Sequence, residues 1–209
     1  MNDEEKDVAL AEEAEATSGE NQVEEAEAKP QKTKKQEVIE EIISWVKTIV
    51  AAFVMAWLIT TFLIVNAKVP SGSMETTVMT GDRLIANRLS YVFSEPERFD
   101  IVVFKFPDDE SKLYIKRIIG MPGDTVVIKN NQIYINGSDK PLDDSFTREP
   151  MNTADAVYKV PEGHYFMMGD NRNNSSDSRF WENTYVAKEK ILGKAVLKYY
   201  PNVELLSDK

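Results

Sequence analysis

Two closely spaced serines are the first residues in this sequence whose types and positions could do chemistry. Ser71 and Ser73 flank Gly72 in a short segment that follows Pro70. Proline fixes its own φ and favours an extended residue before it, whereas glycine lets the backbone turn between the two serines. Such a segment can present a hydroxyl to a cleft, where a base that takes its proton makes it a nucleophile. The sequence therefore predicts a nucleophilic Ser73, on condition that another part of the chain supplies the base.

Lys116 and His164 are the candidates for that base. His164 is the only histidine and follows a Pro-Glu-Gly turn, which favours a polar role beside the turn. In an extended strand Lys116 shares a face with Tyr114 and Ile118, while Arg117 points the opposite way. A lysine on an apolar face loses hydration, so its pKa falls from about 10.4 toward the range of a general base. Taken alone, these residues also allow a solvated lysine on an edge strand.

An uncharged apolar run precedes the two serines. Thr48 to Ala67 contains no charged side chain, and a helix of this length spans about 30 Å, the thickness of the bilayer interior. A cleavable secretory signal has a shorter apolar region close to the N-terminus, so an uncleaved anchor over residues 42–67 is favoured. Lysines gather before the run, which predicts a single-pass protein of the cell membrane with a cytoplasmic N-terminus. Residues 68–209 then form an extracytoplasmic domain with Ser73 near the outer lipid surface.

The acidity of the chain is concentrated before that anchor. The formal net charge is -10; residues 1–41 hold 14 acidic residues and 5 lysines, a balance of -9, which leaves -1 for the rest. The tail is poor in large apolar side chains, and we expect residues 1–41 to be disordered and cytoplasmic. The rest has no basic excess, which argues against nucleic-acid binding. The absence of cysteine excludes disulfides, thiol catalysis and cysteine-ligated metals.

The extracytoplasmic part has the pattern of a mainly β protein. Short runs of β-branched and aromatic residues alternate with Gly, Pro and Asn. We expect antiparallel sheets in a sandwich or partly closed barrel-like domain, with a smaller inserted region at about 125–160 and a tight hairpin turn at Asn130-Asn131. The predicted strands are 100–106, 113–119, 124–129, 132–135, 157–160, 164–168 and 194–200.

Five further segments after the anchor combine glycine, proline and polar residues with short apolar runs. They are Pro70-Ser-Gly-Ser-Met-Glu75, Gly81-Asp-Arg83, Arg98-Phe-Asp-Ile-Val-Val-Phe104, Tyr114-Ile-Lys-Arg-Ile-Ile-Gly-Met-Pro-Gly-Asp124 and Met168-Gly-Asp-Asn-Arg-Asn-Asn-Ser-Ser-Asp-Ser-Arg-Phe-Trp181. They stand in the order of the sequence boxes of bacterial type I signal peptidases, a family with a serine/lysine dyad. The chain resembles the short, Gram-positive-like form of this family from the anchor to about Pro201.

The resemblance implies a role for each matching residue. Ser73 corresponds to the nucleophile and Lys116 to its general base, and the oxyanion is held by the Ser73 N–H and the Ser71 hydroxyl. Ser175 corresponds to a serine that hydrogen-bonds and orients the lysine. The family has supporting ion pairs at the positions of Arg117, Asp170, Asp177 and Arg179. No metal or organic cofactor is implied.

The implied substrates are the signal peptides of exported preproteins, with small residues one and three positions before the cut. The implied partners are the phospholipid membrane and the protein export machinery. Val65-Asn66-Ala67 itself has the pattern of such a cleavage site, so self-cleavage before Lys68 is a further hypothesis. Two alternatives stay open: an inactive homologue that binds signal peptides without cutting them, and a relative of self-cleaving repressors. The repressors carry an N-terminal DNA-binding domain, where this chain has an acidic tail and an apolar span.

Three positions depart from the usual pattern of the family. Thr76 stands where proline is common, Phe99 where glycine is common, and Asn173 where aspartate is common. None of the three removes a group with a chemical role. We expect the first two to alter the local backbone, and with it activity or substrate preference.

Overall fold

The computed structural model describes residues 33–206, so most of the predicted acidic tail, residues 1–32, lies outside the described part. The described chain divides into two compact units, one ending at Val50 and the other beginning at Ala51. The first unit contributes only the start of a helix. All the strands and the candidate site belong to the second unit.

Helix α1 spans Lys34–Leu58 and continues as a π-helical turn, Ile59–Leu63. Thr33 caps it, because the Thr33 N–H donates to Gln36 Oε1 at 3.0 Å and the Gln36 N–H donates to the Thr33 carbonyl at 2.8 Å. Residues 34–41 are therefore helical and not part of a disordered tail, which corrects the predicted start of the anchor. From Lys34 to Leu63 the helix is long and apolar enough to cross a membrane, by length and composition.

The described chain after α1 is built mainly from strands. A short helix, α2, spans Ser90–Phe93. The strands are β1 (Ile64–Lys68), β2 (Arg83–Asn87), β3 (Ile101–Phe106), β4 (Asp109–Gly120), β5 (Thr125–Lys129), β6 (Gln132–Ile135), β7 (Ala156–Lys159), β8 (His164–Met168), β9 (Val186–Ala187), β10 (Ile191–Tyr200) and β11 (Glu204–Leu205).

Strand β1 occupies residues that were predicted to form the end of the anchor helix. It pairs antiparallel with β2, from Ile64 opposite Asn87 to Lys68 opposite Arg83. The β-branched residues at its start favour a strand, and sheet pairing with β2 outweighs continuation of the helix. The helix therefore ends at Leu63, which corrects the predicted end at residue 67. The hypothetical self-cleavage segment, residues 65–67, lies inside this paired strand with Val65 and Ala67 buried, so it is not presented as an extended substrate.

The strands form two antiparallel sheets, which confirms the mainly β prediction. The larger sheet has the order β1-β2-β10-β3-β4-β8-β9, with β11 beside β10. Its central strand β3 is buried on both faces: Ile101 and Val103 pack in one apolar cluster, and Val102 and Phe104 pack in another. A strand covered on both faces is a rigid support for its neighbour β4.

The smaller sheet has the order β6-β5-β7 and lies within the predicted inserted region. Asn130 and Asn131 both have positive φ, 52° and 62°, and join Lys129 to its partner Gln132 in the predicted hairpin turn. A third apolar cluster joins this sheet to the ends of β4 and β8. All seven predicted strands are present, whereas β1, β2 and the two-residue strands β9 and β11 were not predicted.

Candidate active site

Ser73 lies in a single 3-10 turn, Gly72–Met74, that follows β1 by four residues. The turn is closed by the Glu75 N–H, which donates to the Gly72 carbonyl at 3.1 Å. Met74 is buried in the core and holds the turn against the sheet. The Glu75 carboxylate lies close to Gly72, in the space that a Cβ at position 72 would occupy.

Lys116 enters the same place from the buried half of β4. Its side chain is almost completely buried, with 3% of the residue exposed. Its Nζ donates to Ser73 Oγ at 2.6 Å and to the Ile115 carbonyl at 3.2 Å, and lies 5.4 Å from the centre of the Tyr114 ring. This buried contact brings together the predicted nucleophile and the predicted base.

Burial also changes the proton affinity of the lysine. Desolvation lowers the pKa of Lys116 from 10.5 to about 8, while the negative charges of Asp177 and Asp170 act in the opposite direction. Within residues 33–206 no carboxylate forms an ion pair with its Nζ. A substantial fraction of Lys116 is consequently neutral near pH 8, the form in which an amine can accept a proton from Ser73.

Ser71 lies beside Ser73 and lines the same cleft. Its Oγ is 3.4 Å from Ser73 Oγ. The cleft has a volume of about 420 Å³ and is lined by residues 69–74 and 113–116, together with Asn174 and Ser176. It has the size and the position to admit a peptide segment beside Ser73.

The first of two buried ion pairs lies on the opposite face of β4. Arg117 donates from Nε to Asp170 Oδ1 at 2.9 Å and from Nη2 to Asp170 Oδ2 at 2.7 Å, with the side chains 1% and 0% exposed. Thr77 Oγ1 also donates to Asp170. A two-pronged arginine–carboxylate contact fixes orientation as well as distance, so it braces β4 against the segment that follows β8.

The second ion pair is formed within that segment. Arg179 donates from Nε and Nη2 to the two oxygens of Asp177, each at 2.8 Å. The Asp177 carboxylate also accepts from the Gly169 N–H at 3.1 Å, and Arg179 Nη2 also donates to the Arg172 carbonyl at 2.7 Å. All four residues that the family resemblance assigned to ion pairs are therefore found in two pairs near the site.

Ser175 differs from the role that the resemblance implied. It is 8% exposed, and its Oγ has no hydrogen-bond partner among the described residues, so the predicted hydrogen bond to Lys116 is not formed. Lys116 instead uses the Ile115 carbonyl as its second acceptor. Ser175 packs against Gly169, where an added Cβ would overlap both Ser175 Oγ and the Ser73 carbonyl.

Asn171 is a residue that the sequence did not single out. Its backbone N–H donates to the Ser73 carbonyl at 3.1 Å, and its Nδ2 donates to the Gly72 carbonyl at 3.0 Å. The two bonds fix the peptide units on either side of the Ser73 Cα, the first of which contains the Ser73 N–H. The signal for this role was weak, because an asparagine beside Asp170 in a loop is compatible with many turns.

His164 lies away from these groups. It begins β8, whereas Gly169 and Asp170 follow the other end of that strand, and its Nδ1 is 2.9 Å from the Glu162 carbonyl. It does not line the cleft. Among the described residues no group of three or more His, Cys, Asp or Glu side chains could hold a metal ion.

Two of the three departures from the family pattern have unusual backbone angles. Thr76 has a φ of 104° and Phe99 a φ of 78°. A proline at position 76 could not adopt the φ of Thr76, because its ring fixes φ at a negative value. A glycine at position 99 would adopt the φ of Phe99 without strain. A non-glycine residue in this region costs about 1–3 kcal/mol, so the surrounding contacts must hold it there.

Comparisons of the sequence with known proteins point to one family. A family model described as "Signal peptidase, peptidase S26" matches residues 42–200. A probable signal peptidase I-2 of Synechocystis is 42% identical over 170 residues, covering 78% of this chain and 76% of the relative. The signal peptidase I S of Bacillus subtilis is 38% identical over 175 residues, covering 78% of this chain and 92% of the relative. A solved signal peptidase I from Enterococcus faecalis aligns at 33% identity with a TM-score of 0.42, covering 48% of this chain and 97% of that one.

Proposed function

We propose, from the premise that this chain belongs to the signal peptidase family, peptidase S26, that Ser73 and Lys116 form its catalytic dyad. Membership makes the protein a serine endopeptidase of the kind that removes signal peptides. The observation that carries the proposal is the 2.6 Å contact between Lys116 Nζ and Ser73 Oγ in a buried site. A serine needs a base within such a distance to become a nucleophile at neutral pH.

The reaction follows from the positions of these groups. Neutral Lys116 takes the proton from Ser73 Oγ as that oxygen attacks the scissile carbonyl carbon. The resulting ammonium then gives a proton to the leaving amine, and an acyl-enzyme remains on Ser73. A water molecule, activated by Lys116 in the same way, releases the signal peptide and restores both groups.

The oxyanion of the tetrahedral intermediate has two candidate donors, the Ser73 N–H and the Ser71 hydroxyl. Ser71 Oγ lies 3.4 Å from Ser73 Oγ, on the side that faces the cleft. The Asn171 bonds to the two flanking carbonyls keep the Ser73 N–H in one orientation. A donor held in place before the reaction stabilises developing charge without a cost of reorganisation.

The cleft is suited to an extended peptide. We propose that it takes the end of a signal peptide with small residues one and three positions before the cut. Side chains one and three positions before the cut lie on the same face of an extended segment, because side chains alternate between its two faces. A cleft with little room for them excludes larger side chains by overpacking. The peptide backbone can add hydrogen bonds as an extra strand.

The apolar helix gives the proposed setting. We propose that the helix crosses the cell membrane once, with a cytoplasmic N-terminus and the catalytic sheet on the extracytoplasmic face. The phospholipid bilayer and the protein export machinery are then its partners, because preproteins reach that face during export. Lysines before the uncharged apolar run support this orientation.

The deciding experiment is cleavage of a preprotein by the full-length chain in lipid vesicles, comparing the wild type with Ser73→Ala and Lys116→Ala. We expect the wild type to cut after a small residue and both variants to lose cleavage while still folding. Lys129→Ala, at an exposed position, is the matched control. Binding of the preprotein by the wild type without any product would instead support an inactive, signal-peptide-binding homologue.

A further inference from the structure

All three departures from the family pattern contact one loop, the connection between β6 and β7. Thr76 Oγ1 donates to the Phe146 carbonyl at 3.0 Å. The Phe99 and Phe146 rings meet edge to face, with centres 5.8 Å apart. Asn173 Nδ2 donates to the Pro150 carbonyl at 3.1 Å, which an aspartate could not do. We refer to this connection as the β6–β7 loop.

Phe146 is the residue on which two of these contacts converge. Thr76 and Phe99 are also the two residues, other than asparagine and glycine, that have positive φ in the described chain. Strained backbone persists only where its surroundings fix it, and here both strained residues meet Phe146. The β6–β7 loop therefore helps to hold the segments that contain Thr76 and Phe99 in place.

The Phe146 ring also covers a buried charge. The Arg117 guanidinium lies 4.2 Å from the ring centre. The edges of that guanidinium are engaged by Asp170 and by the Phe99 carbonyl, at 2.8 Å for the latter. An aromatic face is the partner that suits the remaining flat side of an arginine, and the contact is strongest where water is excluded.

Phe146 thereby connects to both members of the dyad. Arg117 follows Lys116 directly on β4. Its partner Asp170 precedes Asn171, whose N–H holds the Ser73 carbonyl. From the other side, Thr76 lies three residues after Ser73. No atom of these contacts touches the reacting groups, so any effect on the reaction must pass through their positions.

We propose that Phe146 is a positioning residue, which clamps the segment after Ser73 to the Arg117 side of β4 and so keeps Ser73 and Lys116 in hydrogen-bond contact. The inference deepens the proposed function and rests on it. The β6–β7 loop acts as a brace for the dyad, although it lies in the small sheet and outside the cleft. Phe99 and Thr76 supply the specific contacts of this chain that the common glycine and proline would lack.

The test compares Phe146→Ala with the wild type for cleavage of a soluble signal-peptide substrate by the full-length chain in detergent. We expect kcat to fall by about tenfold to a hundredfold, since small misplacement of reacting groups has effects of this size, with KM changed less than twofold. Phe146→Tyr, which keeps the aromatic face, should recover most of the loss. Phe180→Ala is the matched control, because Phe180 is exposed and its ring lies 4.9 Å from the Arg179 guanidinium; it should stay within about twofold of the wild type.

Two further measurements separate positioning from folding. Phe146→Leu keeps apolar bulk without an aromatic face, so a folded Phe146→Leu protein with reduced kcat supports the proposal even if the alanine variant unfolds. Hydrogen exchange should also become faster in residues 74–78 of Phe146→Ala and not in the small sheet alone. An active wild type together with unchanged kcat in a folded Phe146→Ala or Phe146→Leu overturns the proposal. An inactive wild type would instead count against the proposed function.

Discussion

Lys116 and Arg117 are consecutive on β4 and almost equally buried, with 3% and 1% of each residue exposed. Their surroundings are nevertheless opposite. The Arg117 guanidinium forms an ion pair with Asp170, and the Phe146 ring covers one flat side of the guanidinium. Lys116 has a hydroxyl and a carbonyl, and the two nearby carboxylates, Asp170 and Asp177, pair with arginines.

This difference separates two uses of a buried positive charge. Desolvation without a paired counter-charge lowers the pKa of Lys116 to about 8, so its ammonium can release a proton near that pH. The two hydrogen bonds to Asp170 fix the Arg117 guanidinium in place. One strand therefore carries the proposed base on one face and a permanent structural charge on the other, because side chains alternate along it.

The strongest way to break this contrast is to make residue 116 resemble residue 117. Lys116→Arg keeps a positive charge at the site but cannot release its proton at any working pH. We expect kcat for preprotein cleavage to fall by about a thousandfold or more, the upper range for loss of general-base catalysis. Lys129→Arg is the control at an exposed site, and an active Lys116→Arg enzyme would exclude Lys116 as the base.

The next largest effect should come from the other face. Asp170→Asn leaves the Arg117 charge buried without its carboxylate, and we expect the free energy of unfolding to fall by about 3–5 kcal/mol. Denaturant unfolding of the full-length chain in detergent measures this change. Asp139→Asn, at an exposed position in the small sheet region, should change little. Equal stability of the two variants would contradict the bracing role of the pair.

A third effect sharpens the contrast through pH. Lys116 has a pKa of about 8 in the fold, below its usual 10.5, so between these values the unfolded chain binds more protons and wild-type stability rises with pH. Lys116→Met removes the cost of burying the Lys116 ammonium. We therefore expect this variant to be more stable than the wild type by about 3 kcal/mol below pH 8. The advantage should vanish by about pH 10.5. Thermal unfolding at pH 6.5, 8 and 10 measures it; a constant difference would argue against a lowered pKa.

The smallest effect concerns Ser175, whose buried Oγ has no partner among the described residues. Ser175→Ala removes a hydroxyl that has no hydrogen bond to lose, so we expect less than about 1 kcal/mol change in stability. Cleavage kinetics add the second readout. A fall in kcat at unchanged stability would indicate that the hydroxyl accepts a hydrogen bond from the Lys116 ammonium formed during the reaction, as the family resemblance implies.

The mainly β fold and the proximity of Ser73 and Lys116 were predictable because they depend on local patterns. Alternation around residue 116 placed the lysine on an apolar face, and the family boxes indicated its partner. Turn residues marked the hairpin at Asn130 and Asn131. In each case the information lies within a few neighbouring residues, or in the order of motifs along the chain.

The supporting contacts could not be predicted in this way. Asn171 binds a carbonyl 99 residues away in sequence, and Phe146 acts through residues on two other segments. Neither side chain carries a local signal of its partner. The change from helix to strand at Ile64 was equally hidden, because an apolar β-branched run suits either state until β2 pairs with it.

That junction has a consequence for how substrates are found. The helix ends at Leu63 and β1 begins at Ile64, so no flexible tether separates the proposed anchor from the catalytic sheet. A flexible tether would let Ser73 reach cleavage sites at many distances from the membrane, whereas the proposed anchor, continuous with β1, would keep Ser73 close to the bilayer. We expect cleavage sites at the same distance from the membrane as Ser73 to meet it at a high effective concentration. Cleavage sites at other distances should be out of its reach.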